Sequence, residues 1–130
     1  MAEHPYAALM RLASQAFSNG DIAALKNMIS DNAIWHVPGK SQVSGDYSGH
    51  AEIFGYFGKL MELSNGTFRV ELHDVVASDE HVVNLDRLTG MRENKALDIS
   101  LALVVHIRDE KIAEAWDLFS DQYAWDEFWT

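Results

Sequence analysis

Three aspartates and one histidine are placed where a side chain could move a proton. Asn84 and Asp86 alternate within HVVNLDRLTG, so in a strand both project from one face, with Leu85 and Arg87 on the other. Strand interiors are poor in Asn and Asp, so the pair needs a reason. Either the face is solvated, the commoner case, or it lines a cavity where a carboxylate and an amide orient a ligand. Asp117 and Asp121 flank Leu118-Phe119-Ser120. A carboxylate beside aromatic rings has a raised pKa and can serve as acid or base, whereas Asp121 ahead of Gln122-Tyr123-Ala124 also reads as a helix N-cap. His36 follows Trp35 just before Pro38-Gly39. It reads either as a general base at a cavity mouth or as an outward histidine opposite an inward Trp35. Alternation allows at most one of those two side chains to point inward.

Other chemistries find no footing. The six histidines show no metal-ligand spacing such as HxH or HExxH. No nucleophile elbow supports a Ser–His–Asp triad, and the glycines form no phosphate-binding loop. With no cysteine the chain has no disulfide, thiol nucleophile or thiolate metal site. No metal and no cofactor are expected.

The elements that position these residues can be read along the chain. Leu9, Leu12, Ala13, Ala16 and Phe17 make a helical stripe over about 5–18, stopped at Asn19-Gly20. Asp21 opens a second short helix carrying Ile22, Leu25, Met28 and Ile29. Residues 33–37 predict a short strand and 40–48 a loop. A third helix is predicted over 49–63, striped by Ile53, Phe54, Phe57, Leu60 and Met61, with Gly55 and Gly58 expected at close packing contacts. Four strands joined by short turns follow, over 68–77, 81–91, 96–107 and 111–119, a meander of hairpins. The tail DQYAWDEFW is a short helical or coiled segment. Helices segregated from an antiparallel sheet imply an α+β fold that encloses a space between its layers.

Composition sets outer bounds. The 130 residues suit one domain, 1–130. At 48% hydrophobic and 23% charged the chain is expected to be a folded globular protein. A net charge of −10 repels phosphate backbones and anionic lipid, so no nucleic acid and no membrane is expected as a partner. No basic n-region precedes an apolar block, and no apolar run approaches a membrane span, so the expected location is the cytoplasm.

The segments DNAIWHVPG (31–39), SGDYSGHAEIFGYF (44–57), HDVVASDEHVVNL (73–85) and HIRDEKIAEAWDLFSDQYAWDEFW (106–129) resemble the SnoaL-like branch of the nuclear transport factor 2-like superfamily. That superfamily also contains ketosteroid isomerase and limonene-epoxide hydrolase. The resemblance implies a cone-shaped barrel of a strongly curved, mainly antiparallel sheet packed against three N-terminal helices. It also implies a deep apolar pocket and a homodimer formed through the sheet. The places where ketosteroid isomerase carries its base and oxyanion groups fall on Val37, Val105 and Ala13, all apolar, which argues against that mechanism. The two aspartates of the epoxide hydrolase fall near Asp86 and Asp121, but its bridging arginine falls on Asn84, which argues against that one. SnoaL-type cyclases pair an Asp with a His. For that role Asp117 or Asp121 stands with His36 or His106.

The expectation is therefore a pocket protein for a small apolar or polycyclic molecule, as a cofactor-free acid–base enzyme of cyclase or isomerase type. Asp121 or Asp86 is the candidate carboxylate, with His36 as its proton partner. Trp35, Phe54, Tyr56, Phe57, Asn84, Trp116 and Asp117 are the candidate ligand-binding residues. The alternative is a non-catalytic ligand-binding or protein-interaction module.

Overall fold

A computed structural model describes residues 3–130. Its elements run α1 (Pro5–Asn19), α2 (Ile22–Met28), β1 (Ile29–Val37), β2 (Gly45–Ser48), α3 (Gly49–Leu63), β3 (Arg69–Ala77), β4 (His81–Arg92), β5 (Lys95–Arg108), β6 (Lys111–Phe119) and α4 (Gln122–Phe128). The six strands form one sheet in the order β2-β1-β6-β5-β4-β3, in which only β1 and β6 pair in parallel. The fold is α+β as expected, but β2 and β3 do not pair. The sheet is curled around the helices rather than closed into a barrel.

Local chemistry explains the element ends. α1 begins with Pro5 in its first turn and His4 Nδ1 accepting from the Tyr6 N–H at 3.1 Å. It ends at Gly20, whose φ of 67° is the left-handed conformation that glycine adopts without strain. Its buried stripe is Ala7, Met10, Ala13 and Ala16, so Leu12 lies outside the core at 55% exposed. Asp21 caps α2 by accepting from the Ala24 N–H. β1 then starts at Ile29 with no loop between. The loop expected over 40–48 ends in the short strand β2, registered on β1 from Ile34 opposite Ser48 to Val37 opposite Gly45. Gly55 and Gly58 face open space, not the close contacts expected of them.

Packing holds the helices over one face of the sheet. Val82, Leu88, Leu97, Val105, Ile107 and Ile112 are buried there against Met10, Leu25, Ile53 and Leu60. A register shift between Leu72 and Asp74 interrupts the β3–β4 ladder opposite Leu85 and Asp86. Such a bulge bends its strand and deepens the sheet's curl. The tail is a helix, and its Trp125, Phe128 and Trp129 are fully buried. A Cβ at Gly90 would meet the Phe128 ring at 3.2 Å, so the absent side chain makes room for the tail. Arg92 locks that arrangement by donating to the carbonyls of Leu63, Phe128 and Thr130.

Candidate functional site

Between the helices and the sheet lies a cavity of about 90 Å³. Most of its wall is apolar: Met10, Phe17, Leu60, Phe68, Leu88 and Leu103 contribute, together with the rings of Trp35, Phe57, Phe119 and Trp125. Trp35 and Phe57 meet edge to face at 5.2 Å, and Phe119 stacks on Trp125 at 4.1 Å. These contacts fix the rings, since aromatic pairs favour such geometries.

Into this apolar wall the sheet inserts three polar side chains. β4 runs Val82, Asn84, Asp86, Leu88 on its inner face, all buried. β6 presents Ala115 and Asp117 inward, and Asp117 is 4% exposed. Register places Asn84 opposite Leu103 and Leu103 opposite Asp117, so the amide and the carboxyl share one row across β4, β5 and β6. Asp86 lies one step along, in the row of Leu101 and Phe119. Two strand spacings put Asn84 and Asp117 about 10 Å apart at their Cα atoms.

Electrostatics follow from that placement. Burial raises both carboxyls from the usual aspartate range to about 7. For Asp117 the charge of Asp86 pushes in the same direction. The Trp35 indole N–H and the Tyr56 hydroxyl pull the other way. Tyr56 donates to Asp117 Oδ2 through a long bond of 3.5 Å, while Trp35 Nε1 lies beside Asp117 without forming a well-directed hydrogen bond. Burial drives the Tyr56 phenol well above 10, so it remains a donor. Asn84 Oδ1, Asp86 Oδ1 and the Trp125 indole nitrogen are buried with no hydrogen-bond partner. No Lys, Arg or His lines the cavity, and no cluster of three or more metal-ligating side chains occurs among the described residues.

The structure divides the sequence-derived candidates by sheet face. Trp35, Tyr56, Phe57, Asn84, Asp86 and Asp117 line the cavity. The solvated face expected as the commoner reading for Asn84 and Asp86 is corrected: they are 3% and 5% exposed. His36 and Trp116 lie on the opposite side of the sheet, stacked on each other at 5.6 Å, because they alternate with the inward Trp35 and Asp117. His36 is held there between Asp46 at 2.7 Å and Glu114 at 2.5 Å. Partial burial lowers its pKa, but the hydrogen bonds to Glu114 and Asp46 outweigh this and raise it. Asp121 does not continue the strand, which ends at Phe119. Its carboxylate caps α4, accepting from the Ala124 N–H at 2.9 Å. Phe54 packs in the core against Phe57 and His50 and does not border the cavity. His36 is therefore not brought together with Asp86, and Asp121 stays outside the cavity, bordering with Asp86 only a separate open groove.

Among the cavity-lining groups that the sequence did not single out are Phe119, at the inner end of β6, and Trp125, brought in by the folding-back of α4 and stacked on Phe119. For Trp125 the aromatic density of the tail was the available signal.

The chain is thus a curled α+β sheet whose cavity carries buried carboxyls. The model of the SnoaL-like domain matches residues 10–115, and the chain belongs to that family. An uncharacterized protein of Mycobacterium tuberculosis is 30% identical over 122 residues, 93% of each chain. The structure of Bal32a, from a soil-derived mobile gene cassette, is 35% identical and superposes with a TM-score of 0.94 over 97% of both chains. IdmH of Streptomyces antibioticus, a candidate polyketide cyclase, shares the fold at 16% identity, with a TM-score of 0.73 over 91% of this chain and 93% of its own. No helix among the described residues is long and apolar enough to cross a membrane.

Proposed function

We propose that this protein is a cofactor-free acid–base catalyst acting on a small, largely apolar molecule, with Asp117 as the group that moves the proton. The observation that carries the reading is a fully buried carboxyl with a pKa of about 7 inside an aromatic cavity. A catalytic acid or base works best when its pKa is close to the working pH. Asp117 in its ionised form takes a proton from a carbon next to a carbonyl, and the C–H electrons pass onto the carbonyl oxygen. Where a double bond is conjugated to it, the resulting enolate takes the proton back from Asp117 at the far carbon, an isomerisation; otherwise it attacks a second carbonyl, whose oxygen takes that proton back from Asp117, a cyclisation. The unpartnered indole N–H groups of Trp35 and Trp125 are spare donors for the oxygen that gains charge. Tyr56 steadies the ionised carboxylate. The likeness to a candidate polyketide cyclase supports the reaction class at the level of fold.

Solvent exchange tests this without knowledge of the natural substrate. One-ring cyclic ketones, with and without an amino group, are incubated with the protein in D₂O at neutral pH. Loss of α-proton NMR signals faster than in buffer is the expected result, and Asp117→Asn abolishes the acceleration. Exchange at the buffer rate for every ketone contradicts the reading.

The chain is further proposed to form a homodimer through the outer face of the sheet. There Leu85, Ala102 and Leu118 fall in one register row, with Leu85 38% and Leu118 55% exposed. A second copy presents the same apolar row, so the face is self-complementary about a two-fold axis.

A further inference from the structure

Asp86 and Asn84 are more deeply buried than their polarity allows without partners. Both Oδ1 atoms lie in the wall of an apolar cavity with nothing donating to them. A buried acceptor left unmatched costs about 1–3 kcal/mol, and more if charged. Because the two residues sit two apart on one strand face, their side chains project side by side from the sheet toward one part of the cavity. No Lys, Arg or His lines the cavity to supply a cation from the protein itself. The group missing there is a hydrogen-bond donor with more than one proton to give.

A protonated amine meets the requirement and a hydroxyl meets it only in part. An ammonium carries three donors, enough to serve both oxygens, and its charge matches a carboxylate. The surrounding rings strengthen the match, because the faces of Trp and Phe attract cations by about 0.5–2 kcal/mol, most when desolvated. The net charge of −10 also concentrates cations near the protein. An anion at the same place meets two carboxyls and no positive side chain in the wall. Size limits the remainder of the ligand. A cavity of about 90 Å³ has room for a body of about one ring.

We propose that the cavity binds a small primary amine in its protonated form, the ammonium on Asp86 and Asn84 and a one-ring apolar body against Trp35, Phe57 and Trp125. The inference deepens the proposed function and rests on its reading of the cavity as the ligand site. It assigns the two carboxyls different tasks: Asp86 holds the ammonium, leaving Asp117 to exchange a proton with the ligand's carbon skeleton.

Isothermal titration at pH 7.5 with three one-ring probes tests it: benzylamine, benzyl alcohol and benzoate. Benzylamine is expected to bind at least 10-fold more tightly than benzyl alcohol, and benzoate more weakly than either. Asp86→Asn is expected to erase the amine's advantage while leaving the alcohol's affinity within about 2-fold, and retained alcohol binding shows an intact cavity. Equal or tighter binding of benzyl alcohol to the unaltered protein overturns the proposal, whether or not the variant folds. If none of the three probes binds, the cavity is not a ligand site and both readings fall. If the amine is preferred yet no ketone exchanges its protons, only the catalytic reading falls.

Discussion

Asn84 and Asp117 share one register row, with Leu103 of β5 between them. The row sets the amide and one carboxyl across the cavity floor, and alternation adds Asp86 beside the amide. A sheet thus supplies three polar groups at fixed separations without using a loop. Strands hold such groups more rigidly than loops do, which suits a site that must transfer a proton. The same row shows what this member lacks: no basic side chain lies near enough to keep two buried carboxyls ionised together.

The buried carboxyls make the fold more stable in mild acid. Both have a folded-state pKa raised to about 7, against 3.8 for a free aspartate. Between those values the folded state holds more protons than the unfolded one, so stability falls as pH rises from about 4 through 7. Thermal melts are expected to give a higher Tm at pH 5 than at pH 8. Asp117→Asn removes one titrating group, and its Tm is expected to exceed that of the parent at pH 8 and to change less with pH.

His36 contributes to the same trend by another route. Its raised pKa means that its bonds to Asp46 and Glu114 stabilise fully below pH 6.5 and are lost as pH rises through the folded-state value. His36→Gln is expected to cost about 1 kcal/mol at pH 6 and less at pH 8, read by urea titration at each pH. Ketone exchange is expected to be unchanged, because the side chain lies behind the sheet.

Asp121 separates capping from catalysis. Asp121→Ala removes the carboxylate that accepts from the Ala124 N–H and is expected to cost about 1 kcal/mol of stability. The exchange rate per folded molecule is expected to stay at the parent value. A loss of exchange without a loss of stability would restore Asp121 to the site.

The outer face is tested by oligomeric state. Light scattering after size-exclusion is expected to show a dimer for the parent and a monomer for Leu118→Lys, since a charge in the Leu85–Ala102–Leu118 row meets its own copy across the two-fold axis. A monomeric parent contradicts the proposed dimer.

Much of this architecture was legible in the residues. The helical stripes, the three hairpin turns and the shared face of Asn84 and Asp86 follow from local periodicity and turn chemistry. What periodicity could not choose was the inward face of β4, because Val82 and Leu88 on one side are balanced by Val83 and Leu85 on the other. The helices, packed from afar, settle it. β2 escaped notice because Gly45-Asp46-Tyr47-Ser48 has turn composition and becomes a strand only by pairing with β1. The parallel contact of β1 with β6 joins residues some eighty positions apart, which no local signal encodes. The last strand ends at Phe119, as its residues indicate, so Asp121 lies outside it. The cap reading of the same residue agrees with the structure.

The central claim is that two aspartates in this cavity hold their protons until about neutral pH. Carbon-13 NMR of the aspartate side-chain carboxyls, followed from pH 3 to 9, measures this directly. Two resonances are expected to titrate near pH 7, well apart from the rest, one disappearing in Asp86→Asn and the other in Asp117→Asn. If every aspartate carboxyl titrates below pH 5, neither buried carboxyl is poised for proton transfer and the account fails.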